Sequence, residues 1–191
     1  MAKLIYLTRR DRAMDIKIAK YNPIWVKAFE EEKRNVLTLL GTNAVAVEHV
    51  GSTSIPNQQA KPVIDMFIGV SPFKDLFFYQ SIFNLEDYRY CPTDMIGRYL
   101  FAKYTKGVWT HNLHILPYDD DFYMRNEFLL RDYLREHPEL VVEYGELKMR
   151  VAIEHGNTME EYTRSKTEFI QKVIDAARKE KGLPLQNVWE S

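Results

Sequence analysis

Only one cysteine, Cys91, occurs in the 191 residues, which rules out an intramolecular disulfide or a cysteine-rich zinc site and suits a reducing cytosol. Net charge is equally scarce: 26 Lys and Arg against 27 Asp and Glu leave −1, with a sequence pI near 6.5. Without a strong field of either sign, long nucleic acids and anionic membranes are not expected partners. No apolar run approaches membrane-spanning length, and Met1 to Arg12 places its basic residues after a short apolar run, the reverse of a signal peptide. A cytoplasmic protein is expected. Repeats and low-complexity tracts are missing too. Apolar and aromatic residues are plentiful, at 46% and 13%, enough for one domain with a proper core. That domain is expected over 15–182, with 1–14 as an N-terminal extension and 183–191 as a tail.

The chain is organised around Glu48 to Val70, EHVGSTSIPNQQAKPVIDMFIGV. Val45, Ala46, Val47 and Val50 read as a buried strand, Gly51, Ser52, Thr53 and Ser54 interrupt it, and Val63 to Val70 is a second apolar run carrying one acid, Asp65. Glycine lets backbone approach a ligand, amides and hydroxyls donate to phosphate oxygens, and a neighbouring carboxylate can hold a cation that screens them.

Around this stretch, Asp15 to Tyr21 alternates Ile16 and Ile18 with lysines and reads as a short strand. Asn22 and Pro23 then supply an N-cap and first-turn proline for a helix to Leu40, ended by Gly41. Lys74 to Leu85 reads as a helix burying Leu76, Phe77, Ile82 and Phe83. Arg98 to Tyr104 and Asn112 to Leu116 read as strands, with Thr105-Lys106-Gly107 as the turn between them. After Pro117 the period becomes helical: Phe122 to Glu136, a new helix from Pro138, and a last helix opened by the capping box Thr158 to Glu161.

The run Glu48, His49, Gly51, Ser52, Thr53, Ser54, Pro56, Ala60, Lys61, Pro62, Ile64, Asp65 resembles that of the GrpB family, whose members look like small relatives of the nucleotidyltransferase fold shared with DNA polymerase β. The likeness extends from about Tyr21 to the last helix, through Tyr21 to Trp25, Thr110 to His114, Arg131 to Leu134, and Lys148. Asn57-Gln58 stands where the family usually has Gly-Leu, and Asn112 where it often has a second His. The resemblance implies an α+β protein: a nucleotidyltransferase-like mixed β-sheet flanked by helices, with a C-terminal helical part. It also implies binding of a nucleotide or other phosphorylated small molecule and metal-dependent nucleotidyl transfer. The alternative is a noncatalytic ligand-binding or accessory module, near coenzyme A or nucleotides, that has lost the paired acids.

In the nucleotidyltransferase pattern, two acids one residue apart hold two metal ions. Here Phe67 takes the second position. The resemblance implies Asp65, His114 and Glu48 as catalytic residues, and Asp65 with His114 as ligands for a divalent metal, magnesium or manganese with zinc as the alternative. Gly51, Ser52, Thr53, Lys61, Arg131 and Lys148 would bind the ligand.

Each residue also has a plainer reading. Ser52 and Thr53 would cap a turn, Lys61 would be solvated, and Arg131 and Lys148 would lie on a solvated helical face. Asp65 would pair with a cation such as Arg98, and Glu48 with a Lys or Arg. A His49, Ser52, Asp65 triad is disfavoured, since no nucleophile elbow accompanies it. His111 and His114 are spaced for opposite faces of a strand, which disfavours a shared zinc site.

Overall fold

The computed structural model describes residues 16–83, 86–93, 95–155 and 158–188. The N-terminal extension and Asp15 therefore lie outside the described residues, as does the end of the tail. The expected domain is built as two compact units, one of sheet and helix and one mainly helical.

The first unit, 23–54 with 63–122, holds a five-stranded mixed sheet in the order β1-β2-β5-β4-β3. β1 is Ala44–Val50, β2 Ile64–Val70, β3 Tyr88–Cys91, β4 Tyr99–Thr105 and β5 Val108–Pro117. Only the β2–β5 pairing is parallel. Lys106 and Gly107, with φ of 51° and 77°, join β4 to β5, the backbone that a two-residue hairpin requires. β5 begins four residues before the expected strand because Val108 to His111 continue the ladder with β4.

Because cross-strand partners share a face, register sorts the sheet. One face carries His49, Met66, Leu113, Phe101 and Ile68, with His111, Lys103 and Tyr88 in one row. Against it packs α1, Ile24–Leu40, through Trp25, Phe29, Val36 and Leu40, and the His49 ring stacks on Phe29 at 4.7 Å. Pro23, rather than the expected Asn22, occupies the N-cap position of α1. α2 is shorter than expected, Leu76–Ile82, and is capped by Asp75, which accepts from the Phe78 amide. Its buried side is also different: Tyr79 and Phe83 face the core while Phe77 is 79% exposed. Tyr79 fits that position because its hydroxyl accepts from the Lys74 amide at 3.0 Å.

The second unit, which takes in the described residues of 16–22, 55–62 and 123–188, holds α3, Asn126–Glu136, α4, Pro138–His155, α5, Met159–Arg164, and α6, Thr167–Glu180. The helix expected from Phe122 is broken, since Arg125 is extended at ψ 146° between a short 3-10 turn and α3. The last helix is likewise two: Thr158 caps α5 as the capping box predicts, but a break at Ser165 and Lys166 precedes α6. Ile55, Leu134, Val141, Tyr144, Phe169 and Val173 form its core. The strand expected at Asp15 to Tyr21 is replaced by one bridge, Ala19 to Ala60. Ile16 is buried against Val151 and Tyr162, so its alternation reflects packing on helices rather than a sheet ladder.

Candidate functional site

The other face of the sheet carries the candidate residues Glu48, Asp65 and His114. Val50, Asp65, Asn112 and Ala102 form one row across β1, β2, β5 and β4; Glu48, Phe67, His114 and Leu100 form the next. Gly51 follows directly after Val50 with φ 68°, and a Cβ there would collide with Asp65 Oδ2. Only glycine allows the turn to start this close to the carboxylate.

Asp65, half-buried, is held from the other side as well. Asn112 Nδ2 donates to Asp65 Oδ1 at 2.8 Å, and Asn112 Oδ1 accepts from Trp109 Nε1 at 3.0 Å. The indole fixes which way the amide points, and the amide fixes the carboxylate. Asn112 was visible in the sequence only as a departure from the family pattern, and Trp109 gave no signal. Arg98, the cation that the plainer reading would pair with Asp65, lies over the Phe67 ring at 4.7 Å.

The hydroxyls of the turn divide. Thr53 is buried, 2.9 Å from His49 Nε2 and 3.5 Å from the Val63 carbonyl, and Ser54 Oγ donates to the Gly51 carbonyl at 2.6 Å. Ser52 is the one left partly exposed. Thr53 and Ser54 thus give the 3-10 turn its shape.

His114 lies beside Phe67, with ring centroids 5.4 Å apart. Its Nδ1 is buried without a hydrogen-bond partner, and burial, reinforced by the Arg98 charge, lowers its pKa to about 3. It is a neutral imidazole at pH 7. His111 faces the opposite side of the sheet, near the Ala28 carbonyl at 3.4 Å, as the spacing predicts. The residues do not fit a metal held by the protein alone: among the described residues no three His, Cys, Asp or Glu side chains gather as ligands, and the Arg98 charge acts on His114.

Lys61, Arg131 and Lys148 belong to the helical unit. Lys61 is half-buried. Arg131 makes a two-pronged pair with Asp132, at 2.6 and 3.2 Å, and lies over Phe128. Lys148 is fully buried, with Nζ 4.2 Å from the Tyr144 ring centroid. His137 stacks on Tyr133 at the end of α3, which accounts for it without a ligand.

Fold and site together define an α+β protein with a five-stranded mixed sheet and a carboxylate pinned at the start of a Gly-Ser turn. A family profile described as GrpB protein matches residues 15–176, and the chain belongs to the GrpB family. It is similar to UPF0157 protein YqkA of Bacillus subtilis (strain 168), 34% identical over 167 residues that cover 86% of this chain and 48% of that protein. The chain thus spans about half the length of that relative. Glutamate-rich protein GrpB of Alkalihalophilus pseudofirmus is 29% identical, over 84% of this chain and 95% of its own. The crystal structure of conserved protein GrpB from Enterococcus faecalis matches with a TM-score of 0.77 and 33% identity, covering 86% of this chain and 99% of that one. Among the described residues, no helix is long and apolar enough to cross a membrane.

Proposed function

We propose that this GrpB protein has a nucleotidyltransferase-like fold and binds a nucleotide or another phosphorylated small molecule where the turn at Gly51 meets Asp65. The observation that carries this reading is the pinned carboxylate, pressed against the Gly51 backbone and oriented by Asn112 and Trp109. Such orientation suits a ligand, because a preorganised acid needs no reordering when the ligand arrives. The Ser52 hydroxyl and the turn amides would donate to phosphate oxygens. A divalent ion, magnesium or manganese with zinc as the alternative, would arrive with those phosphates, since it wants about six ligands and Asp65 supplies few of them.

Nucleotidyl transfer is a second reading, favoured by Glu48. Phe67 occupies the position of the second acid, and Glu48 pairs directly across from Phe67 on the same face, so the neighbouring strand returns a carboxylate to that row. Without a role for Glu48 the protein is a binding module. Calorimetric titration of ATP, GTP and coenzyme A, with and without magnesium, manganese or zinc, tests the binding. Wild type should show saturable, metal-enhanced binding, and Asp65→Asn should lose the enhancement while staying folded. Identical isotherms for the two proteins would overturn the proposal.

A further inference from the structure

Lys148 has no counterpart in that reading. Its side chain is buried on α4, and its Nζ has no hydrogen-bond partner among the described residues. An ammonium without a paired carboxylate is costly to bury, and such groups persist where something else supplies the partner. The charged group that acts on it is a second cation, Lys166, which with burial pushes the Lys148 amine well below the usual lysine range. Lys148 Nζ lies 4.2 Å from the Tyr144 ring centroid, and Lys166 Nζ lies 3.8 Å from that of Tyr162. Burial, and after it the neighbouring Tyr144, pushes the Tyr162 hydroxyl up. Two like charges thus converge on two phenols inside one compact unit, with Lys166 the partly exposed, outer member.

We propose that Lys148 and Lys166, with Tyr144 and Tyr162, bind a tetrahedral dianion, a phosphate group, within the helical unit. A phosphate group carries acceptors enough for the Lys148 ammonium and for phenol hydroxyls at once. An anion favours the charged form of Lys148, whose amine burial pushes down, so affinity falls as pH rises. The proposal goes beyond the Asp65 reading and uses none of its residues.

The test is calorimetric titration of the full chain with sulfate, which carries two charges throughout the neutral range, and with inorganic phosphate and ethyl phosphate. Sulfate should bind saturably, and comparing two buffers of different ionisation enthalpy should reveal proton uptake. Lys148→Met and Lys166→Met should each weaken binding at least tenfold, and Lys148→Met should melt higher than wild type without anion. Binding of inorganic phosphate alone marks an enclosed free-ion site; equal binding of ethyl phosphate marks one that reads the phosphoryl group of a larger molecule. Wild type without saturable binding, or binding unchanged in either lysine variant, overturns the proposal; Lys166→Met keeps the test decisive should Lys148→Met fail to fold.

Discussion

Glu32 and Lys148 are buried to the same degree, each 2% exposed, yet their surroundings are opposite. Glu32, on α1, accepts from the Tyr88 hydroxyl at 2.6 Å, from Asn35 at 3.1 Å and from the Lys103 ammonium. Lys148 Nζ has no hydrogen-bond partner among the described residues and lies over the Tyr144 ring, with a second lysine acting on it. A buried charge ringed by partners is accounted for by the fold; a buried amine without them calls for another account, which the proposed anion would supply. Asp65 stands between the two, oriented by Asn112 but half-buried.

The contrast breaks most visibly at Glu32. Glu32→Ala should destabilise by about 3–5 kcal/mol, because Lys103 and the Tyr88 hydroxyl lose their acceptor in the core. Denaturant unfolding checks this, and a loss below about 1 kcal/mol would show the network to be incidental. Gly51→Ala comes next, at about 1–3 kcal/mol, from a strained positive φ and a Cβ driven into Asp65. A binding loss larger than the stability loss would mark the turn as part of the site.

Acid should act through His114. Its folded pKa, lowered to about 3, lies below its unfolded value of about 6.5. The unfolded chain therefore takes up the proton first, and stability falls as pH drops from about 6.5 toward 3. His114→Gln should flatten that limb, recovering about 1–2 kcal/mol near pH 4.5 after allowance for the ring's partial exposure. Melting curves across that range decide it, and parallel curves for the two proteins would contradict it. The smallest effect separates the turn hydroxyls: Thr53→Ala should cost about 1 kcal/mol for its buried bonds to His49 and Val63, and Ser52→Ala less than about 0.5.

Much of the sheet was legible because Val63 to Val70 and Val45 to Val50 are apolar enough to need two covered faces. What periodicity reports is burial, however, not the partner. Ile16 and Ile18 alternate like a strand but pack with helical residues, and Val108 to His111 join a strand despite their polar members. In α2, Phe77 is as apolar as Phe83 but points outward, which only the start of the helix at Leu76 decides. The Gly-Ser turn and Asp65 were readable as a motif, and the structure does bring Gly51 against Asp65. That Asn112 and Trp109 hold the carboxylate, and that Thr53 turns inward, depends on strand register and side-chain rotamers, which leave no periodic trace. The isolation of Lys148 is a property of its surroundings and has no signature in the chain.

The most direct test of the account is a crystal structure of the protein with manganese and a nonhydrolysable ATP analogue, read through the anomalous signal of the metal. The account predicts a manganese peak within coordination distance of the Asp65 carboxylate and phosphate oxygens against Ser52 and the turn amides. Nucleotide bound elsewhere, with no manganese at Asp65, would contradict it.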